Sequence, residues 1–250
     1  MMLDFNRREV LFGGLLTVIG GTCAVPCAAQ WTSEGCGIPQ NETQGYFARA
    51  TRAPQMAANG GFVIEPRSGD SALDYAFAQA LGHMVSTFGV KPGFTYYDDY
   101  DGPNAKATSN AMLEYSDGTV LFGLRFLRML LENPNHREAG IVAFAAHEFG
   151  HIVSFKNGMI GPLSRARGVF GGEQYADYMS GYFAGRRKRI SPSYPATAFA
   201  GTIGDYAGGP HGDRRLRSGA IERGFLDAYQ RELSMSQAEQ AAYSYAMSSG

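Results

Sequence analysis

One feature constrains this chain more than any other, an apolar run over residues 141–153 that contains two histidines and a glutamate. Apolar residues recur along the run at the spacing of a buried helix, which we predict over residues 135–158. His147 and His151 are four residues apart, so a helix places them on one face, about one turn from each other. Such a helix must lie inside a domain that compensates its buried polar groups.

The same spacing predicts a metal site. Two neutral imidazoles at positions i and i+4 can bind one ion, and zinc accepts them at about 2.0–2.1 Å. Glu148 follows the first histidine and can act as a general base on a water molecule held by that ion. A pattern of this kind arises by chance in fewer than about one chain in a hundred of this composition. We therefore expect one zinc ion per chain.

Two histidines leave the metal without a third protein ligand. Asn157 stands six residues after His151, so a third histidine at that spacing is excluded. Glu173 lies 22 residues after His151, at the start of a Glu-Gln-Tyr-Ala-Asp run, and is the predicted third ligand. Asp177, one turn further, can accept a hydrogen bond from a ligand histidine. The alternative is that both acids are solvated residues at a helix start, favoured by the helix dipole.

The remainder of the chain predicts an α+β fold. Regular structure should begin with a helix from Asp70 to Gly89. Three strands are predicted next, over residues 93–97, 105–109 and 118–122. A helix is predicted to follow over residues 121–131. Residues 185–212 are rich in Gly, Pro, Ser and Thr and are predicted to form a long surface loop. The last part should be mostly helical, with a helix over 213–233 and a short one capped at Ser236.

The first 29 residues have the pattern of an export signal. Arg7 and Arg8 precede a short apolar run, and small residues follow up to Ala29, where cleavage is expected. The two arginines favour a twin-arginine signal over an ordinary Sec signal. At about a dozen residues, the run is shorter than the roughly 20 that a membrane span needs. We expect a periplasmic or secreted protein without a stable membrane span, a loosely ordered lead-in over residues 30–69, and one domain over 70–250.

Charge and cysteine content narrow the choice further. The net charge is −1, so there is no basic excess to indicate a nucleic-acid partner. Signal cleavage would remove Cys23 and Cys27, and Cys36 alone cannot form an internal disulfide. Cys36 is then a buried or idle thiol, or an intermolecular one, and we favour the buried or idle thiol.

The runs at residues 147–151 and 173–177 resemble those of the gluzincin metallopeptidases. More narrowly, they resemble the HtpX and CAAX-prenyl-protease group and the small minigluzincin domains. Softer similarity at residues 101–107, 117–131 and 210–217 extends the resemblance over about residues 70–230. The resemblance implies a zincin-like fold with a small mixed sheet, an active-site helix and a mostly helical C-terminal part.

The resemblance also implies roles for single residues. The implied zinc ligands are His147, His151 and Glu173. Glu148 would be the base, and Asp177 would orient a ligand histidine. His211, in a Pro-His-Gly segment, would stabilise the oxyanion, an interpretation that we weigh equally with a loop histidine of no function. The strand over residues 104–107 would pair with an extended substrate by strand addition.

The predicted function is that of an exported zinc-dependent endopeptidase that acts on a protein or peptide. One alternative is a catalytically silent binding or scaffold protein of the cell envelope that keeps the zincin fold. Another is a zinc amidase that acts on a cell-wall fragment. The sequence does not indicate an oligomeric state.

Overall fold

The computed structural model describes residues 36–38, 42–50, 68–135 and 137–249, without the side chain of Pro210. The predicted signal at residues 1–29 lies outside the described residues, as do parts of the predicted lead-in. The described residues have an α+β fold, with strands early in the chain and helices in the remainder. This confirms the predicted α+β class. None of the helices in these ranges is long and apolar enough to cross a membrane.

The strands and most of the longer helices lie close to where the sequence predicts them, whereas α1, α5 and α7 were not predicted. In chain order they are α1 (Thr43–Arg49), α2 (Ser71–Phe88), β1 (Gly93–Tyr97), β2 (Ala105–Thr108), β3 (Thr119–Gly123), α3 (Leu124–Glu132), α4 (Arg137–Lys156), α5 (Ile160–Arg167), α6 (Val169–Ile190), α7 (Thr197–Asp205), α8 (Arg214–Tyr229) and α9 (Met235–Ser248). A 3-10 turn, Gly209–His211, precedes α8.

The three strands form a small mixed sheet in the order β1-β3-β2. β1 runs parallel to β3, and β2 runs antiparallel to it, so that Phe94 and Ala107 both lie opposite Val120. Every strand residue is buried, because α4 contacts β2 and β3 and an α2 aromatic, Phe77, packs 5.3 Å from Phe94. The strand order places β2 at one edge of this three-stranded sheet.

Two parts of the predicted lead-in are packed against this sheet. Ile38 is buried in a cluster with Tyr46 of α1 and with Tyr97 and Leu121 of the strands. Gly37 forms a parallel bridge with Ala107, at the outer edge of β2. The lead-in thus reaches the same strand that the sequence predicts to bind an extended substrate.

Glycines let the central helices approach closely. At Gly150 of α4, a Cβ atom would lie 2.9 Å from the Cα atom of Ala176 in α6. Further along α6, a Cβ atom at Gly181 would overlap the carbonyl group of Ile221 in α8. A side chain at either position would force the helices apart. The spacing that brings the side chains of α4 and α6 together is therefore set by glycine.

The prediction of a surface loop over residues 185–212 is wrong. α6 continues to Ile190, and residues Thr197–Asp205 form α7. Phe199 and Ile203 of α7 are fully buried in the main core. Their burial stabilises a helix whose Gly and Thr content predicts a loop, since tertiary packing outweighs weak local propensity.

The helix caps show both a success and an error. Asp70, one of the two residues that could cap α2, accepts hydrogen bonds from two backbone amides, and the helix ends at Gly89 as predicted, with this glycine in the left-handed conformation. The last helix, however, is capped by Ser234 with Gln237, and it extends over 14 residues. The predicted cap at Ser236 was wrong because two serines compete for the position, and the side chain of Gln237 completes the capping box with the first one.

Candidate metal centre

α4 carries both predicted histidine ligands into the interior. His147 and His151 are buried, at 0% and 2% exposure. Their Nε2 atoms lie 3.2 Å apart, because residues four apart on a helix project from one face. The ring of His151 also stacks on Phe155, one further turn along α4. Both rings therefore point to the same place.

α6 brings the third predicted ligand to that place. The Oε2 atom of Glu173 lies 3.3 Å from Nε2 of His147, and Oε1 lies 3.4 Å from Nε2 of His151. A tetrahedral zinc ion with bonds of about 2.0–2.1 Å separates its ligand atoms by about 3.3–3.4 Å. The three predicted ligands thus lie close enough together to share one ion, with a different oxygen of Glu173 nearest to each histidine.

A fourth potential ligand, Cys36, was missed by the sequence analysis. Its thiol lies within 4.8 Å of the ligand atoms of His147, His151 and Glu173. Its backbone N–H donates a hydrogen bond to Oε1 of Glu173 at 2.9 Å. Cys36 is buried as we expected, but the sequence offers no signal that places a lone cysteine of the lead-in beside α4 and α6.

Asp177 fixes the orientation of the His147 ring through Nδ1, the nitrogen that faces away from the proposed metal position. Its Oδ1 atom lies 2.7 Å from Nδ1 of His147, which leaves Nε2 directed at the proposed metal position. Arg217 of α8 donates two hydrogen bonds to Asp177, from Nε at 2.9 Å and from Nη2 at 2.8 Å. Sequence reasoning assigned no role to Arg217, since it is only the last residue of the segment 210–217 whose similarity to the gluzincins is soft. Its buried guanidinium fixes the carboxylate in a bidentate geometry.

His211 also lies at the centre. The 3-10 turn places its Nδ1 atom 2.8 Å from Oε2 of Glu173 and 3.8 Å from the sulfur of Cys36. The structure thus brings His211 to a ligand, whereas its oxyanion role stays a prediction.

Glu148 has an unusual environment for a carboxylate. It is fully buried, and neither of its oxygens has a hydrogen-bond partner among the described residues. Burial raises the pKa of Glu148, and the neighbouring imidazoles of His147 and His151 oppose the rise. A carboxylate without partners in the interior is costly unless something else compensates it.

The charge of the centre fits a divalent cation. Its buried carboxylates are Glu148, Glu173 and Asp177, and one guanidinium, that of Arg217, pairs with them. Three carboxylates against one guanidinium leave two negative charges, one of which is balanced while His147 keeps its extra proton. Burial lowers the pKa of His147, but the carboxylates of Asp177 and Glu173 outweigh it and raise that pKa to about 10. The proton retained on His147 is one that a metal would displace on binding.

Burial raises the pKa of the Cys36 thiol, and the carboxylates of Glu148 and Glu173 raise it further. A thiolate at this position therefore needs a positive charge beside it, as a metal ligand would have. Together, Cys36, His147, His151 and Glu173 form a buried cluster that could hold a metal ion.

Comparison with protein-family models, with curated proteins and with solved structures gives no match to this chain. The function of the centre must therefore be argued from its own geometry and charge.

Proposed function

We propose that this chain is an exported zinc-dependent metallopeptidase of the gluzincin type, with a zincin-like fold. The observation that carries the proposal is the meeting of Glu173 with His147 and His151 at ligand separations, with Glu148 buried and unpartnered beside them. Two imidazoles and a carboxylate are a common ligand set of catalytic zinc.

Zinc, when bound there, supplies a Lewis acid that polarises a carbonyl group and lowers the pKa of water. The chain supplies the base. Glu148 accepts the proton of the attacking water and then delivers it to the departing amine, a transfer favoured by the absence of competing hydrogen bonds. The Arg217–Asp177 pair holds His147 in the tautomer that leaves Nε2 available.

Under this proposal His211 is the residue for the oxyanion. Its position at the centre, with Nδ1 2.8 Å from Oε2 of Glu173, supports this role, since an imidazole N–H can donate to an oxygen that develops negative charge. The substrate would be an extended polypeptide that pairs with β2 through the backbone groups of Ala107, which residues 36–38 occupy in this structure.

The test of the proposal is the variant Glu148→Gln. We expect the chain to bind one zinc ion and the variant to retain it, while cleavage of an unfolded protein falls by about 10²-fold or more because the base is lost. His151→Ala is the matched control, since it should lose the metal as well as the activity. A purified chain that binds no divalent metal would contradict the proposal.

A second candidate function is favoured by one observation, the presence of Cys36 in the cluster. Four protein ligands around zinc are typical of a structural site, whereas a catalytic site keeps one position open. A structural zinc protein of the cell envelope would lose stability in His151→Ala and show no phenotype in Glu148→Gln.

A further inference from the structure

We propose that residues 36–38 are a built-in inhibitor of the metal centre, which makes the chain a latent peptidase. In this arrangement the Cys36 thiolate is the fourth metal ligand. The same three residues occupy the edge of β2, where an extended substrate would pair. This inference rests on the proposed peptidase function and adds its regulation.

The contacts of Cys36 support the first part. Its sulfur belongs to the cluster of potential ligand atoms, and its backbone N–H binds the carboxylate of Glu173. Cys36 is 3% exposed, so solvent does not compete with the cluster for its thiol. A thiolate bound to zinc closes the position that catalysis needs open.

The backbone of the segment supports the second part. The N–H of Ala107 donates to the carbonyl of Cys36 at 3.0 Å, and the N–H of Ile38 donates to the carbonyl of Ala107 at 2.9 Å. These Ala107 groups face outward from an edge strand and are the groups that strand addition would use. A substrate cannot pair with them while residues 36–38 are in place.

Both parts depend on the same three residues, so displacement of one short segment frees both positions together. The segment is held by the two hydrogen bonds to Ala107, the contact with Glu173 and the packing of Ile38 against the Tyr46 cluster. Removal or displacement of residues 36–38 is then the activating event. A permanent structural ligand would need no overlap with the substrate edge.

The ligand is tested by spectroscopy without any assay of activity. Cobalt(II) is loaded into the full chain in place of zinc, and the thiolate-to-cobalt charge-transfer absorption in the near ultraviolet is recorded. We expect this absorption in the wild type, its loss in Cys36→Ser, and its retention in the control Cys23→Ser/Cys27→Ser. Absence of the absorption from the wild type, or its persistence in Cys36→Ser, overturns the inference.

Latency is tested by cleavage of an unfolded protein by the zinc-loaded full chain. If no more than about a tenth of the wild type has an open site, Cys36→Ser should cleave at least about tenfold faster. The double variant Cys36→Ser/Glu148→Gln should cleave nothing, which assigns the gained activity to this centre. Ile38→Pro, which removes one donor to Ala107, should also activate the chain, and more strongly than the matched packing control Ile38→Ala.

The outcomes separate the two proposals. If Cys36→Ser loses its zinc, or if it cleaves no faster than an active wild type, the segment does not inhibit and the inference is overturned. If zinc is bound and no variant cleaves any substrate, the peptidase function itself fails, and the inference fails with it.

Discussion

The metal centre has buried carboxylates on α4 and α6, and a second site has one on α8, and the two are balanced in different ways. At the metal centre, three carboxylates pair with one guanidinium, and Glu148 has no hydrogen-bond partner among the described residues. In the second cluster, which we call the Asp227 cluster, a single carboxylate has three partners. The hydroxyl of Tyr178 donates to Asp227 at 2.5 Å, and the guanidiniums of Arg223 and Arg231 lie at 2.9 Å and 3.0 Å.

A buried carboxylate is therefore not by itself evidence of a metal site. The Asp227 carboxylate is also fully buried, yet the protein balances it with arginines whose side chains are 45% and 57% exposed. The chain can therefore balance the charge of a buried carboxylate without an ion. The excess of acid at the metal centre is the feature that calls for a cation.

The largest effect on the free energy of unfolding should come from breaking the Arg217–Asp177 pair. Arg217→Met leaves Asp177 buried without its counter-charge, and we expect a loss of about 3–5 kcal/mol in the free energy of unfolding. At the Asp227 cluster, Arg231→Met should cost only about 0–1 kcal/mol, because its exposed guanidinium is screened by water. Urea unfolding of both variants measures the contrast.

Arg217→Lys is the control for that experiment. It keeps the positive charge and loses the bidentate geometry, so its stability should lie between those of the wild type and Arg217→Met. Equal costs for Arg217→Met and Arg231→Met would contradict the view that the two clusters differ.

The next effect is the stabilisation of the whole protein by zinc. At a free zinc concentration about 1,000 times the dissociation constant, binding should add about 4 kcal/mol to the free energy of unfolding. The increment should vanish in His151→Ala and persist in Asp227→Asn. Urea unfolding with zinc and with a chelator measures it, and an increment that survives in His151→Ala would place the ion elsewhere.

The smallest effect should come from loosening the support of one ligand. Asp177→Asn removes the carboxylate that holds the ring of His147, and we expect zinc affinity to fall about 10–100-fold. Asp227→Asn should leave the affinity unchanged. Competition with a chromophoric chelator gives both values, and equal losses would show that the effect is a general one on the fold.

The sequence predicted most elements that depend on local periodicity and capping. The strands and the helices α2, α4 and α8 follow from patterns within a few residues, and so does the presentation of His147 and His151 on one face. The sequence did not predict α7, because Phe199 and Ile203 stabilise it only when they pack in the core. Local propensity has no information on that packing.

The candidate site likewise has one part that residue spacing predicts and another part that depends on the packing of helices. The spacing of His147, Glu148 and His151 within one helix is a property of the chain itself, and a helix of any surroundings would display it. Glu173 and Asp177 were predicted from their own spacing and from the need for a third ligand. Their meeting with the histidines, however, depends on the close contact of α4 and α6 at Gly150.

Cys36 and Arg217 were decided by the tertiary structure alone. Cys36 reaches the centre because residues 36–38 pair with the edge of β2, and Arg217 reaches Asp177 because α8 packs against α6 at Gly181. Neither contact leaves a periodic trace in the sequence, since hydrogen bonding and packing between distant segments do not constrain their spacing along the chain. The sequence thus determined the face that can bind a metal, and the fold decided which residues complete it.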